Sequence, residues 1–132
     1  MKRILLTSCA LVVGFLMACG PMLAHHGSGV SYDMKKQISM TGTVTKVQWT
    51  NPHVYIMYTV TNEDGKSVLW GAESHPPNMM TDRGWTINTL KPGDMIVITV
   101  FPSRVGTPRG LLGKVVLNGK VLLDDTGRGA QE

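Results

Sequence analysis

Four histidines are the residues of this chain whose type and spacing indicate chemistry. His25 and His26 are adjacent near the amino terminus, whereas His53 and His75 lie in the middle of the sequence. A neutral imidazole is a good ligand for zinc and copper ions, and several imidazoles in one place form a metal site. The histidines therefore predict a metal ion as a partner of this protein.

The first 24 residues have the anatomy of an export signal. Two basic residues follow the initial methionine, an apolar run covers residues 4–18, and Ala24 ends a short cleavage region. Cleavage after Ala24 would make His25 the first residue of a periplasmic or secreted bacterial protein. A rival cut precedes Cys19, in a sequence similar to a lipobox, and would anchor the chain to a membrane through a lipid.

A free amino terminus at His25 would strengthen the predicted metal site. The α-amine, with an unperturbed pKa of about 8, and the imidazole, with one of about 6.5, can bind one ion as a chelate. His26 offers a further imidazole, and nitrogen ligands in a plane favour Cu(II). Copper is therefore the predicted ion. Zinc is the alternative, with nitrogen ligands alone or with Glu73 as an oxygen ligand.

The elements that must position these residues are predicted to be all-β. The order of elements indicates a small OB-like barrel of five to six strands, with one short helix between strands three and four. A β-sandwich is the alternative. Residues 1–24 are the signal, 25–37 a flexible arm, 38–123 the barrel and 124–132 a disordered tail, and Gly42 predicts a bulge or bend. The predicted strands cover residues 38–50, 53–61, 67–73, 95–101, 111–117 and 120–123, and the helix covers residues 78–85.

The hairpin of strands two and three is predicted to bring the site residues together. Its turn at residues 62–65 pairs residues whose numbers sum to about 128, which sets His53 opposite His75 and Tyr55 opposite Glu73. Directly opposed residues point to one face, with Cβ atoms about 5 Å apart. The register therefore predicts that His53 and His75 share one metal ion.

Charge and cysteine content exclude other classes of function. Removing Lys2 and Arg3 with the signal lowers the net charge from +4 to +2, so a nucleic acid is not the expected partner. Cys9 and Cys19 both lie in the signal, so the mature chain is predicted to have no disulfide and no thiolate ligand. A membrane is a partner only if Cys19 is lipidated.

Several short motifs are spread along the mature chain: His25-His26-Gly-Ser, Thr41-Gly-Thr-Val44, Trp49-Thr-Asn-Pro-His53, Trp70 with Glu73, Gly84-Trp85 and Leu90-Lys-Pro-Gly-Asp94. Together they resemble a family of small secreted bacterial proteins that carry a domain of unknown function. The resemblance covers nearly the whole mature chain and implies an exported, single-domain β-barrel with no established activity. Gly27 departs from the family pattern, which more often has serine directly after the two histidines.

The predicted function is binding, transfer or sensing of a metal ion in the periplasm. The predicted ligands are His25, His26, His53, His75 and Glu73. No catalytic residues are predicted, and a copper-dependent oxidase is the weaker enzymatic alternative. The second hypothesis is a metal-independent, OB-like module that binds a ligand or another envelope protein, with structural histidines.

Overall fold

The computed structural model describes residues 28–130. Six strands form one sheet in the order β3-β2-β1-β4-β5-β6, and a parallel pairing of β3 with β5 closes the first five into a barrel. None of the helices in this range is long and apolar enough to cross a membrane. The strands are β1 (Ile38–Gln48), β2 (Tyr55–Thr61), β3 (Ser67–Glu73), β4 (Met95–Pro102), β5 (Arg109–Leu117) and β6 (Lys120–Asp124); the helices are α1 (Ser28–Ser31), α2 (Pro77–Asp82) and a 3-10 helix (Thr126–Ala130).

This architecture confirms the predicted all-β, OB-like barrel with a short helix between the third and fourth strands. The register of the β2–β3 hairpin is also confirmed, since Tyr55 pairs with Glu73 and Thr61 with Ser67. At the β5–β6 hairpin, Asn118 and Gly119 have φ values of 50° and 78°. Two consecutive positive φ angles are typical of the type I′ turn that an Asn-Gly pair favours.

The core lies inside the barrel and is made by alternate residues of each strand. Ile56 and Tyr58 of β2 are fully buried, as are Ile96 and Ile98 of β4. Gly42 of β1 lies against the Tyr58 ring, and a Cβ added there would be 2.7 Å from Tyr58 Cδ2. The bulge in β1 lies between Val44 and Lys46, at Thr45, three positions after Gly42.

β1 and β2 are both shorter than the predicted strands, because the chain turns in the corner between them. β1 ends at Gln48 and β2 begins at Tyr55, so His53 lies in the corner that joins them. The Asn51-Pro52 peptide bond in this corner is cis. α2 begins at Pro77, which suits the first turn of a helix because proline lacks the N–H that would be unpaired there.

The segment preceding β1 is packed on the barrel within the described residues, which differs from the predicted flexible arm. Tyr32 pairs with Ser103, and Tyr32 and Met34 form a second buried cluster with Phe101 and Leu111. The cluster forms because these two barrel residues are apolar and need cover from water. The four residues therefore anchor the segment to the barrel.

The segment following β6 is also ordered up to Ala130, where a disordered tail was predicted. Gly129 lies so close to the Met34 carbonyl oxygen that a Cβ there would overlap it. The Gln37 amide donates a hydrogen bond to the Thr126 carbonyl oxygen (3.1 Å). The two terminal segments thus pack against each other.

Candidate functional site

A cluster of four side chains is centred on the Glu73 carboxylate at the end of β3. Tyr32 Oη donates to Glu73 Oε2 (2.5 Å), and Tyr55 Oη donates to the same oxygen (2.8 Å). His53 Nδ1 lies 2.6 Å from Glu73 Oε1. The hairpin register brings Tyr55 to Glu73, the corner before β2 supplies His53, and the anchored amino-terminal segment supplies Tyr32.

The contact with Glu73 selects one tautomer of the neutral His53 ring. A carboxylate only accepts hydrogen bonds, so Nδ1 carries the proton and Nε2 of the neutral ring carries the lone pair. The His53 side chain is 40% exposed, against 17% for Glu73. His53 also lines an open cavity of about 290 Å³ that includes Gln48, Tyr55 and Arg109. An imidazole with a fixed, available nitrogen therefore stands at a surface cavity.

The two tyrosines stay protonated beside the carboxylate. Burial is the main cause of the raised pKa of Tyr32, and the hydrogen bond to Glu73 raises it further. Burial and the same carboxylate raise the pKa of Tyr55, while the nearby Arg109 charge opposes this increase. Both phenols are therefore hydrogen-bond donors that hold Glu73 in place.

His75 belongs to a different polar cluster. The Val54 N–H donates to the His75 carbonyl, while the Ser74 N–H donates to the Val54 carbonyl, so Ser74 and His75 both face Val54. This local bulge ends the predicted one-to-one pairing before it reaches His53. The His75 ring instead contacts Asp125 Oδ2 through Nε2 (2.8 Å) and also contacts Arg128.

The surroundings of His75 disfavour positive charge. Burial, followed by the charges of Arg128 and Arg83, lowers the pKa of His75 from 6.5 to about 4. Asp125 forms ion pairs with two arginines, since its Oδ2 lies 2.7 Å from Nη1 of Arg83 and 2.8 Å from Nη2 of Arg128. Burial tends to raise the pKa of Asp125, but these two guanidinium groups outweigh it and lower the pKa. This cluster joins α2 to the carboxyl-terminal segment.

The structure brings only some of the predicted ligands together. His53 and Glu73 are in contact, His75 is held by Asp125 and Arg128, and His25 and His26 lie outside the described residues. Across residues 28–130, no group of three or more His, Cys, Asp or Glu side chains is arranged to hold a metal ion. A site with three or more such ligands would therefore need at least one ligand from outside this range.

Sequence reasoning missed several contributors to these clusters and to the cavity beside His53. The sequence predictions place Tyr32 in the arm, Asp125 in the tail, and Arg109 between the fourth and fifth strands. A signal for Tyr32 exists in the sequence, because the run Tyr32-Asp33-Met34 places two large apolar side chains two residues apart in an otherwise polar stretch. Such spacing is typical of a short extended segment that covers a barrel.

The fold and the site together define a small OB-like β-barrel whose outer face carries a histidine oriented by a carboxylate. The model of a family of unknown function, DUF6152, matches residues 14–114, and the chain belongs to this family. The predicted membership in a family of unknown function is thereby confirmed, whereas the roles of its histidine motifs stay predictions.

The chain is also similar to solved structures of other proteins. The mitochondrial single-stranded DNA binding protein Rim1 from S. cerevisiae is similar, with a TM-score of 0.43 and 10% sequence identity. The match covers 63% of this chain and 93% of Rim1. No curated protein matches the sequence.

Proposed function

We propose that this chain is an exported periplasmic protein that binds a transition metal ion, with copper as the first candidate. Its role is binding, transfer or sensing of the ion rather than catalysis. His53 supplies one ligand through Nε2, and His25 and His26 supply the others. The observation that carries the proposal is the 2.6 Å contact between His53 Nδ1 and Glu73.

This contact supports a metal ligand because of what it does to the other nitrogen. Histidines that bind metals almost always donate their second ring N–H to a carboxylate, a carbonyl or water, which fixes the tautomer and makes the ring more basic. Glu73 is in turn held by two tyrosine hydroxyls at 2.5 and 2.8 Å. Glu73 is thus better suited to orienting His53 than to binding the metal itself.

The path of the amino-terminal segment supports the contribution of His25 and His26. Tyr32 binds the same carboxylate as His53, so the amino-terminal segment passes beside the site at this residue. His25 is only seven positions before Tyr32, and three extended residues alone span about 10 Å. The proposal therefore has the amino-terminal imidazoles and the α-amine approach this face of the barrel from Tyr32.

His75 is left out of the proposed ligand set. Its Nε2 already faces Asp125 and Arg128, and two guanidinium groups lie close by. A metal cation brought to this nitrogen would meet their repulsion at short range. The proposal therefore has one rigid imidazole from the barrel and the remaining nitrogens from the amino terminus.

Calorimetric titration of the protein beginning at His25 with Cu(II), in a buffer containing glycine as competitor, tests this site. Glu73→Gln places an amide N–H against Nδ1 of His53, which moves the ring proton to Nε2. We expect this variant to bind Cu(II) about 10- to 100-fold more weakly. His53→Ala should lose at least as much affinity, because it removes the ligand itself.

Matched variants outside the proposed site show whether a substitution changes Cu(II) binding merely by disturbing the protein. His75→Ala removes an imidazole outside the site, and Glu63→Gln changes an exposed carboxylate in the β2–β3 turn. Both should bind Cu(II) as the parent protein does. One extra residue placed before His25 should weaken binding, because it separates the α-amine from the first imidazole. Equal affinity in the His53→Ala variant and the parent would rule out the proposed site.

A further inference from the structure

A groove opens in the barrel wall beside β3. β3 and β5 pair in parallel only over Gly71–Glu73 and Arg109–Leu111. Before Gly71 this pairing stops, and a cavity of about 760 Å³ lies between β3 and the loop that precedes β5. We call this cavity the β3 groove. Its walls include Leu69 and Gly71 of β3, Val30 of the amino-terminal segment, and Val105 and Pro108 of the loop before β5.

The backbone of β3 is unpaired where it faces the groove. The Ser74 N–H donates to the Val54 carbonyl and the Asn62 N–H donates to the Lys66 carbonyl, so the even-numbered positions of β3 bond to β2. Hydrogen-bonding directions alternate along an antiparallel pair, so the N–H and C=O of Leu69 point away from β2. Within residues 28–130 no backbone group accepts or donates to them.

The groove also gathers exposed apolar side chains. Leu69 is 49% exposed, Val30 62% and Val105 82%. All three line this one cavity. An open sheet edge flanked by apolar side chains is a template for pairing with another chain, which natural proteins usually blunt with charge, proline or a covering element.

The end of the groove carries a cation with no anionic partner among the described residues. Arg109 lines both the β3 groove and the cavity at His53, and its guanidinium makes no ion pair within residues 28–130. Gly71 lies at the same junction and presents no side chain. The groove therefore presents exposed apolar side chains from three segments and a positive charge at the Arg109 end.

We propose that the β3 groove binds an extended, acidic peptide segment of a partner protein. The peptide adds a strand at Leu69, seats apolar side chains against Val30 and Val105, and places a carboxylate at Arg109. An extended peptide fits all three features, because the Leu69 backbone offers both a donor and an acceptor at strand spacing. This proposal is independent of the metal site and holds for metal-free protein.

A random twelve-residue peptide library displayed on phage, selected against the metal-free protein beginning at His25, tests this proposal. Enriched peptides should carry an acidic residue next to alternating apolar residues. Gly71→Leu should abolish their binding, because a Cβ at Gly71 meets no atom within 4 Å and the added side chain fills the groove. Gly127→Leu, at a similarly open glycine outside the groove, should leave binding unchanged.

Two further readouts identify the mode of binding. Arg109→Gln should weaken the enriched acidic peptides about tenfold, the equivalent of about one partly desolvated ion pair. The Leu69 amide should exchange with deuterium more slowly when peptide is bound, because its N–H gains an acceptor. Peptides that bind Gly71→Leu as tightly as the parent would overturn the proposal. So would a Leu69 amide already protected in the free protein, which would make this chain's own residues the occupant.

Discussion

At the residue scale, His53 and His75 show how neighbours decide the chemistry of one side chain. His53 has a carboxylate partner on one nitrogen, and its side chain is 40% exposed. His75 faces a carboxylate that two arginines already bind. The first arrangement prepares an imidazole to bind a cation, whereas the second repels one. The four histidines therefore do not form one set.

The hydroxyl of Tyr58 gives a prediction that depends on a single atom. Tyr58 is fully buried, and no described residue hydrogen bonds to its Oη. A buried polar group without a partner costs free energy, so Tyr58→Phe should raise the free energy of unfolding by about 1 kcal/mol. Urea unfolding followed by tryptophan fluorescence measures the change.

The matched control for Tyr58→Phe is Tyr55→Phe. Tyr55 donates to Glu73 at 2.8 Å, so its loss removes a hydrogen bond that is present. We expect Tyr55→Phe to lower the free energy of unfolding by about 1 kcal/mol. A loss of stability in Tyr58→Phe similar to that in Tyr55→Phe would show that the Tyr58 hydroxyl has a partner after all.

At the scale of the element, the register of the β2–β3 hairpin was predictable and its end was not. The turn at residues 62–65, together with the alternation of inward- and outward-facing residues in β2 and β3, fixes the pairing of Tyr55 with Glu73. Beyond Glu73 the pairing depends on a bulge at Ser74 and His75. Nothing in the local sequence specifies that bulge, because it forms where the chain leaves the sheet for α2. Because of this bulge, His53 does not lie opposite His75, and its ring contacts Glu73.

Gly42 of β1 and Gly71 of β3, the two strands that flank β2, give opposite predictions. A Cβ at Gly42 would be 2.7 Å from Tyr58 Cδ2 and 3.0 Å from the Thr59 carbonyl oxygen, whereas a Cβ at Gly71 meets nothing within 4 Å. Gly42→Ala should therefore lower the free energy of unfolding by about 2 kcal/mol, the typical cost of overpacking. Gly71→Ala should leave it unchanged or raise it slightly, because alanine loses less backbone entropy on folding than glycine.

Thermal unfolding of both variants, followed by circular dichroism, checks this pair. The prediction requires a lower Tm for Gly42→Ala than for Gly71→Ala. Equal Tm values would show that the Tyr58 ring can shift at no cost, and the close packing of β1 on β2 at this point would then not contribute to stability.

At the scale of the whole molecule, the segments before and after the barrel, residues 28–37 and 125–130, were the least predictable part of the described chain. Their sequences are largely polar, which is typical of disorder, yet Tyr32 and Met34 are buried and Asp125 binds two arginines. Each segment is ordered by contacts that include residues far away in the sequence. Such contacts leave no local pattern, so the barrel could be predicted and its attachments could not.

The cluster around His75 predicts that acid destabilises the fold. In the unfolded chain His75 takes up a proton near pH 6.5, whereas in the folded protein it does so only near pH 4. The unfolded state thus binds more protons between these values, and the free energy of unfolding falls as the pH falls through this window. Below it, protonation of Asp125, whose folded pKa is lowered, removes the ion pairs with Arg83 and Arg128.

Urea unfolding at a series of pH values from 7 to 4 measures this dependence. His75→Gln lacks the titrating ring, so its free energy of unfolding should fall less steeply than that of the parent over this window. Comparing slopes removes any constant cost of the substitution. Identical slopes in the two proteins would mean that the fold does not disfavour protonation of His75.

The central claim is that one metal ion is bound by His53 of the barrel together with the amino-terminal histidines. Pulsed electron paramagnetic resonance of the Cu(II)-loaded protein beginning at His25 tests it most directly, because the remote nitrogen of each coordinated imidazole gives its own modulation. We predict one coordinated imidazole fewer in His53→Ala than in the parent, and no change in His75→Ala. Identical spectra for the parent and His53→Ala would contradict the account.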